Sequence, residues 1–132
     1  MQSLADFITR APIRFTVRPA DRNPNMGSWD AGASHWRCTL TLNGKRMTVP
    51  FSQGSAHTFP PTLADVLNCL ALDASGFENA GDFASWCGEY GYDTDSRKAE
   101  KIYKTVGRQA ASLKSLLGPE FYNDLLWNTE SL

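Results

Sequence analysis

Hydrophobic residues change their spacing part-way along the chain, and the change falls near Pro60-Pro61. Before it they recur at every second position. Ile13, Phe15 and Val17 alternate with Arg14, Thr16 and Arg18, which predicts a half-buried strand with a basic outer face. Alternation returns from Ser34 to Leu42, with Trp36, Cys38, Leu40 and Leu42 on one face and His35, Arg37, Thr39 and Thr41 on the other. Asn43-Gly44 follows; both central positions of a type I′ turn need positive φ, which these residue types tolerate. The return strand turns Met47, Val49 and Phe51 inward and Arg46, Thr48 and Ser52 outward, so the pattern predicts a hairpin over 34–52. Ser3 to Thr9 reads as a short helix capped by Ser3 and closed by Pro12. Pro19 to Ser34, rich in Pro, Gly and polar residues, reads as a long loop.

Beyond Pro60-Pro61 the period becomes helical. Thr62 is a good cap with Asp65 at the capping-box position, and Leu63, Val66, Leu67, Leu70 and Ala74 form an apolar stripe that Gly76 is expected to stop. A second helix is expected over Ala80 to Glu89, burying Phe83, Trp86 and Cys87, with Gly88 and Gly91 near its end. Asp95 or Ser96 caps a long third helix to Leu117, whose inward stripe runs from Ala99 through Ile102, Tyr103, Val106, Ala110 and Leu113. Gly118-Pro119 marks a stop and a restart, and a last helix spans Pro119 to Trp127. The order implies an α+β fold: a small antiparallel sheet of about three strands, then about four helices packed on one of its faces.

Composition narrows the picture. The chain has 132 residues, of which 42% are hydrophobic and 20% charged. That suits a single domain spanning 1–132 with a sizeable core, and it excludes wholesale disorder and a two-domain dinucleotide enzyme. The net charge of −1 hides an asymmetry. Residues 1–61 carry seven basic and three acidic side chains, and residues 62–132 carry six basic and eleven acidic ones. Such a dipolar molecule steers charged partners onto one side. Three cysteines without a close pair make a poor disulfide framework. Met1 to Arg10 lacks the basic start and apolar run of a leader, and no stretch approaches the roughly 20 apolar residues that cross a bilayer. The expectation is a reduced, cytoplasmic protein, monomer or homodimer, with no membrane partner.

Reactive chemistry is sparse. His35-x-x-Cys38 has a ligand-like spacing, but a separation of three on a strand turns the side chains to opposite faces, against zinc. Asp93-x-Asp95 resembles the opening of a calcium loop, yet Arg97, Lys98 and Lys104 stand where a ligand, the glycine and the bidentate Glu belong. These acids read instead as helix-capping charge. Ser55 and His57 lack a nucleophile elbow and an orienting acid, and His35 likewise has no recognisable acid partner. No phosphate-binding or dinucleotide-binding glycine motif is present. The expectation is no enzyme, no cofactor and no metal.

Binding residues are easier to find. Arg97, Lys101, Lys104 and Arg108 follow one another at spacings of four, three and four, a basic stripe about 16 Å long at 1.5 Å per residue. Trp29, Phe59, Tyr90 and Tyr92 fall outside every core stripe; aromatics of this kind either anchor interfaces or cover the edge of the core. Arg97, Lys101, Lys104, Arg108, Tyr90 and Tyr92 are therefore the candidate partner-binding residues. Arg14, Arg18, Arg37 and Arg46 are the candidates for nucleic acid, through the outer face of the sheet.

The segment from Phe83 through Trp86-Cys87, Glu89, Gly91-Tyr92-Asp93 and Asp95-Ser96-Arg97-Lys98-Ala99-Glu100 to Tyr103 resembles a widespread family of small proteins of tailed bacteriophages and prophages. His35-Trp36, Thr62-Leu63-Ala64-Asp65-Val66-Leu67 and Leu125-Leu126-Trp127 extend the resemblance over most of the chain. It implies a phage setting and no particular reaction, so no catalytic residue is carried over. Small non-structural phage proteins often bind a host machine, and some neutralise defence systems including CRISPR effectors. Two functions are thus expected: a non-catalytic antagonist of a host protein complex, or a small nucleic-acid-binding module.

Overall fold

The computed structural model describes residues 4–19, 35–52 and 60–127. Its elements run α1 (Leu4–Arg10), β1 (Arg14–Pro19), β2 (His35–Leu42), β3 (Lys45–Ser52), α2 (Leu63–Ala80), α3 (Phe83–Tyr90), α4 (Arg97–Leu117) and α5 (Pro119–Trp127). The fold is α+β, as the change of period implies. The three strands form one antiparallel sheet in the order β1-β2-β3. Asn43 and Gly44 join β2 to β3 with φ of 51° and 81°, the left-handed geometry that a two-residue hairpin requires.

Period-two patterning decides which face the helices cover. Trp36, Cys38, Leu40, Leu42, Met47 and Val49 are buried, and α4 packs over this side. Each buried aliphatic side chain of this size stabilises by about 1.5–3 kcal/mol. Fully buried Phe7, Leu67, Leu113 and Leu125 carry the same core into α1, α2, α4 and α5. Lys45 Nζ donates to the Ser115 carbonyl at 3.2 Å and ties the hairpin to the last turn of α4. Pro50 sits in the edge strand β3, where a residue without an N–H is tolerated because its nitrogen faces away from the neighbouring strand.

The helix ends follow side-chain capping. Thr62 and Asp65 form a reciprocal capping box at the start of α2. Asp82 Oδ1 accepts from Ser85 N–H at 2.8 Å to open α3, and Ser96 Oγ accepts from Ala99 N–H at 3.1 Å to open α4. Asp95, the other candidate cap of α4, instead gives its own N–H to Asp93 Oδ1. Gly118, with φ of 84°, ends α4 immediately before Pro119.

Two expectations are corrected. Gly76 does not stop α2, which continues to Ala80 and ends at Gly81 with φ of 80°. Ala80 therefore belongs to α2, and α3 begins at Phe83. The physical reason lies in packing: the Tyr90 side chain lies against Gly76 where any Cβ would stand, so the glycine serves a close approach and not a terminus. The expected cap Ser3 and most of the expected loop, with Trp29, Ser55, His57 and Phe59, lie outside the described residues.

Candidate functional site

The pleat that buries one side of the sheet displays the other. The register places Arg14 opposite Thr41 and Thr41 opposite Arg46, so these three form one row across the strands. Thr16, Thr39 and Thr48 form the next row, with the Thr39 and Thr48 hydroxyls hydrogen-bonded at 3.0 Å. Arg18, Arg37 and Pro50 form the third. Four exposed arginines thus flank a line of threonines, and no carboxylate stands among these positions. Residues two apart on a strand rise about 6.6 Å, so the outer rows lie about 13 Å apart. The structure brings together all four arginines that alternation assigned to this face.

Arg97, Lys101, Lys104 and Arg108 are all exposed along α4. They differ in electrostatic freedom. Lys104 is held by Glu100 at 2.9 Å in an exposed i,i+4 pair worth about 0.3–0.5 kcal/mol, which partly neutralises the middle of the stripe. Arg108 donates to Thr105 Oγ1 at 3.3 Å and keeps its charge unpaired by any acid among the described residues.

The two basic surfaces meet. β3 is an edge strand, and α4 passes beside it. Arg46 and Thr48 of β3, with Thr105, Arg108, Gln109 and Ser112 of α4, line a groove of about 380 Å³. It holds two guanidinium groups, three hydroxyls and one amide, with Met47 and Val49 as its apolar floor. Arginine presents planar, always-charged donors that match carboxylate and phosphate oxygens, so this groove suits an anion. Sequence patterning placed Arg46 on the sheet and Arg108 on the helix; their meeting depends on how α4 packs. Thr105, Gln109 and Ser112 gave no signal of their own, being polar positions on an outer helix face.

The aromatic candidates divide. Tyr90 is exposed, at 47% of its full accessible surface, and its ring centroid lies 5.2 Å from that of Trp86. Tyr92 covers the edge of a core: it is half-buried and stacked on Trp86 with 5.3 Å between centroids and 5° between planes. The reason is the left-handed Gly91, φ 75°, which turns the chain back so that Tyr92 covers α3. Phe83 and Tyr103 complete this small second core around buried Trp86. Trp127, at the end of α5, is 82% exposed, a surface group that the helical pattern does not single out.

The described thiols are shielded in different degrees. Cys38 and Cys87 are buried and Cys69 is exposed on α2. Burial raises the pKa of Cys38, and burial with the Asp93 charge raises that of Cys87. Desolvation, then Asp73 and Asp65, raise that of Cys69. None has the lowered pKa that marks a nucleophilic cysteine. Among the described residues no three His, Cys, Asp or Glu side chains converge as a metal site, and no helix is long and apolar enough to cross a membrane. No protein-family model, curated protein or solved structure matches the chain.

Proposed function

We propose that the protein is a phage-encoded accessory factor that binds a host protein complex in the cytoplasm and antagonises it without catalysis, in the manner of an anti-defence protein. The observation that carries the binding part is the continuity of basic surface at the Arg46–Arg108 groove, which links the α4 stripe to the arginines of the sheet. A surface of this kind steers and orients an acidic partner. The phage setting rests on the resemblance of the Phe83–Tyr103 segment.

A second reading, direct nucleic-acid binding, is favoured by the outer sheet face itself. Arg14, Arg18, Arg37 and Arg46 flank threonine hydroxyls with no acid among them, which suits phosphates.

Affinity capture from phage-infected cells, with and without nuclease, separates the two. A protein complex retained after nuclease, and lost with the paired change Arg46→Glu and Arg108→Glu, supports the first reading. Loss of every partner on nuclease treatment, with retardation of DNA or RNA that weakens steeply with salt, supports the second. A partner retained equally by the charge-reversed protein overturns the role of the groove in both.

A further inference from the structure

Three helices and a turn border a second, chemically distinct open cavity of about 200 Å³. Asp73 comes from α2, Trp86 and Tyr90 from α3, Tyr92 from the turn after it, and Ile102 and Val106 from α4. We propose that this cavity binds an organic cation, an ammonium group carrying methyl or alkyl substituents.

Three features select that chemistry. First, Tyr90 and Tyr92 both lie against Trp86, at 5.2 and 5.3 Å between centroids, and build an aromatic wall on one side. Tyr92 and Phe83 stack on Trp86, so the tyrosine rings are the ones left to meet a cation, which aromatic faces attract best when partly desolvated. Second, Asp73 supplies a carboxylate with no cationic partner among the described residues. Although Asp73 lies at the surface, the neighbouring side chains partly desolvate its carboxylate and raise its pKa. Third, Ile102 and Val106 close the remaining side with carbon. A bare metal ion needs about six or more oxygen ligands in place of its hydration shell, and this lining has one carboxylate and two phenols; an alkylated ammonium presents carbon to carbon and charge to rings and carboxylate.

Size points the same way. Pockets for whole drug-sized ligands run to about 300–1,000 Å³. A cavity of about 200 Å³ takes a headgroup or the end of a side chain. The site is also preorganised, because Gly76 lets Tyr90 settle against α2. The same chemistry is carried by a free small cation such as choline and by a lysine or methylated lysine side chain of a protein. This proposal does not depend on the basic surface described above.

The test is a titration of the full chain followed by heteronuclear NMR, comparing choline with its uncharged carbon isostere 3,3-dimethylbutanol. Saturable shifts at Trp86, Tyr90 and Ile102, with choline at least about fivefold tighter than the isostere, are expected. Asp73→Asn should weaken choline by about fivefold or more while leaving the amide spectrum native, since Asp73 lies at the surface. Tyr90→Leu serves as the second variant and should weaken it too. Equal binding of the isostere, unchanged affinity in Asp73→Asn, or no saturable shift at the cavity overturns the proposal. Blocked lysine and trimethyllysine amides form the second arm: preference for them over choline assigns the site to a protein side chain, and the reverse assigns it to a free cation.

Discussion

The hydroxyl of Tyr90 occupies the space that a Cβ on residue 76 would need, so Gly76 in α2 and Tyr90 in α3 are fitted to one another. Within a helix, glycine costs about 1 kcal/mol relative to alanine. The structure accepts that cost to seat a ring whose contact with Trp86 adds about 0.5–1.5 kcal/mol beyond its area. Gly76→Ala alone should therefore change stability little, because the helical gain of about 1 kcal/mol is offset as Tyr90 is pushed off Trp86. In a Tyr90→Ala background the same change should stabilise by about 0.5–1 kcal/mol. Urea unfolding of the four proteins gives the cycle; an equal effect of Gly76→Ala in both backgrounds would contradict it.

The cysteines should separate by reactivity. Only exposed Cys69 is accessible in the folded protein, and its raised pKa keeps it mostly protonated at neutral pH. One thiol should react slowly with a disulfide reagent at pH 7, faster as the pH climbs towards and past the ordinary thiol value, and three should react after unfolding. Rapid reaction of Cys38 or Cys87 in the native protein would show that the cores around them open.

Tyr122 joins α5 to α2 through its hydroxyl, which donates to Glu78 Oε1 at 2.9 Å. Burial and this carboxylate push the phenol above its ordinary value. Tyr122→Phe should cost about 0.5–1.5 kcal/mol, toward the lower end because exposed Glu78 regains water. An alkaline absorbance titration of the native protein should show a phenol step above the ordinary tyrosine range that Tyr122→Phe lacks.

Two carboxylates make opposite contributions with pH. Asp82 accepts from the Ser85 backbone N–H and its pKa is lowered, so its support for α3 is present above the unfolded value and is lost as pH falls through the folded one. Asp73 is raised by desolvation, so its ionised form opposes folding at neutral pH and that opposition fades as pH falls through its folded value. Melting temperatures should show Asp73→Asn more stable than wild type at pH 7, with the difference shrinking in acid. Asp82→Asn should flatten the acid limb of the stability curve. Identical pH profiles for all three proteins would refute both assignments.

What could be read in advance was local. Asn43-Gly44, the Thr62–Asp65 capping box and Gly118-Pro119 act through neighbours in the chain, and each stands where the pattern put it. The outer-face arginines were also legible, because a period of two fixes which side chains share a face. Gly76 was misread because a glycine near the end of an apolar stripe has the same local signature whether it ends a helix or admits a ring. The spacing of Tyr92 leaves open whether it anchors a partner or covers the core edge, because its burial depends on the turn at Gly91 and on the face of Trp86. The Arg46–Arg108 groove and the Asp73 cavity each join residues from distant parts of the chain, which no periodicity can report.

Pro50 bears on how copies of this domain meet at high concentration. A sheet grows sideways when an arriving strand finds an unbroken ladder of donors along the rim. On β3 that ladder lacks a rung, since the imide nitrogen of Pro50 has no hydrogen to give. Lateral addition on this side is discouraged, and the arginine-bearing platform resists growth beyond β3 as molecules crowd together.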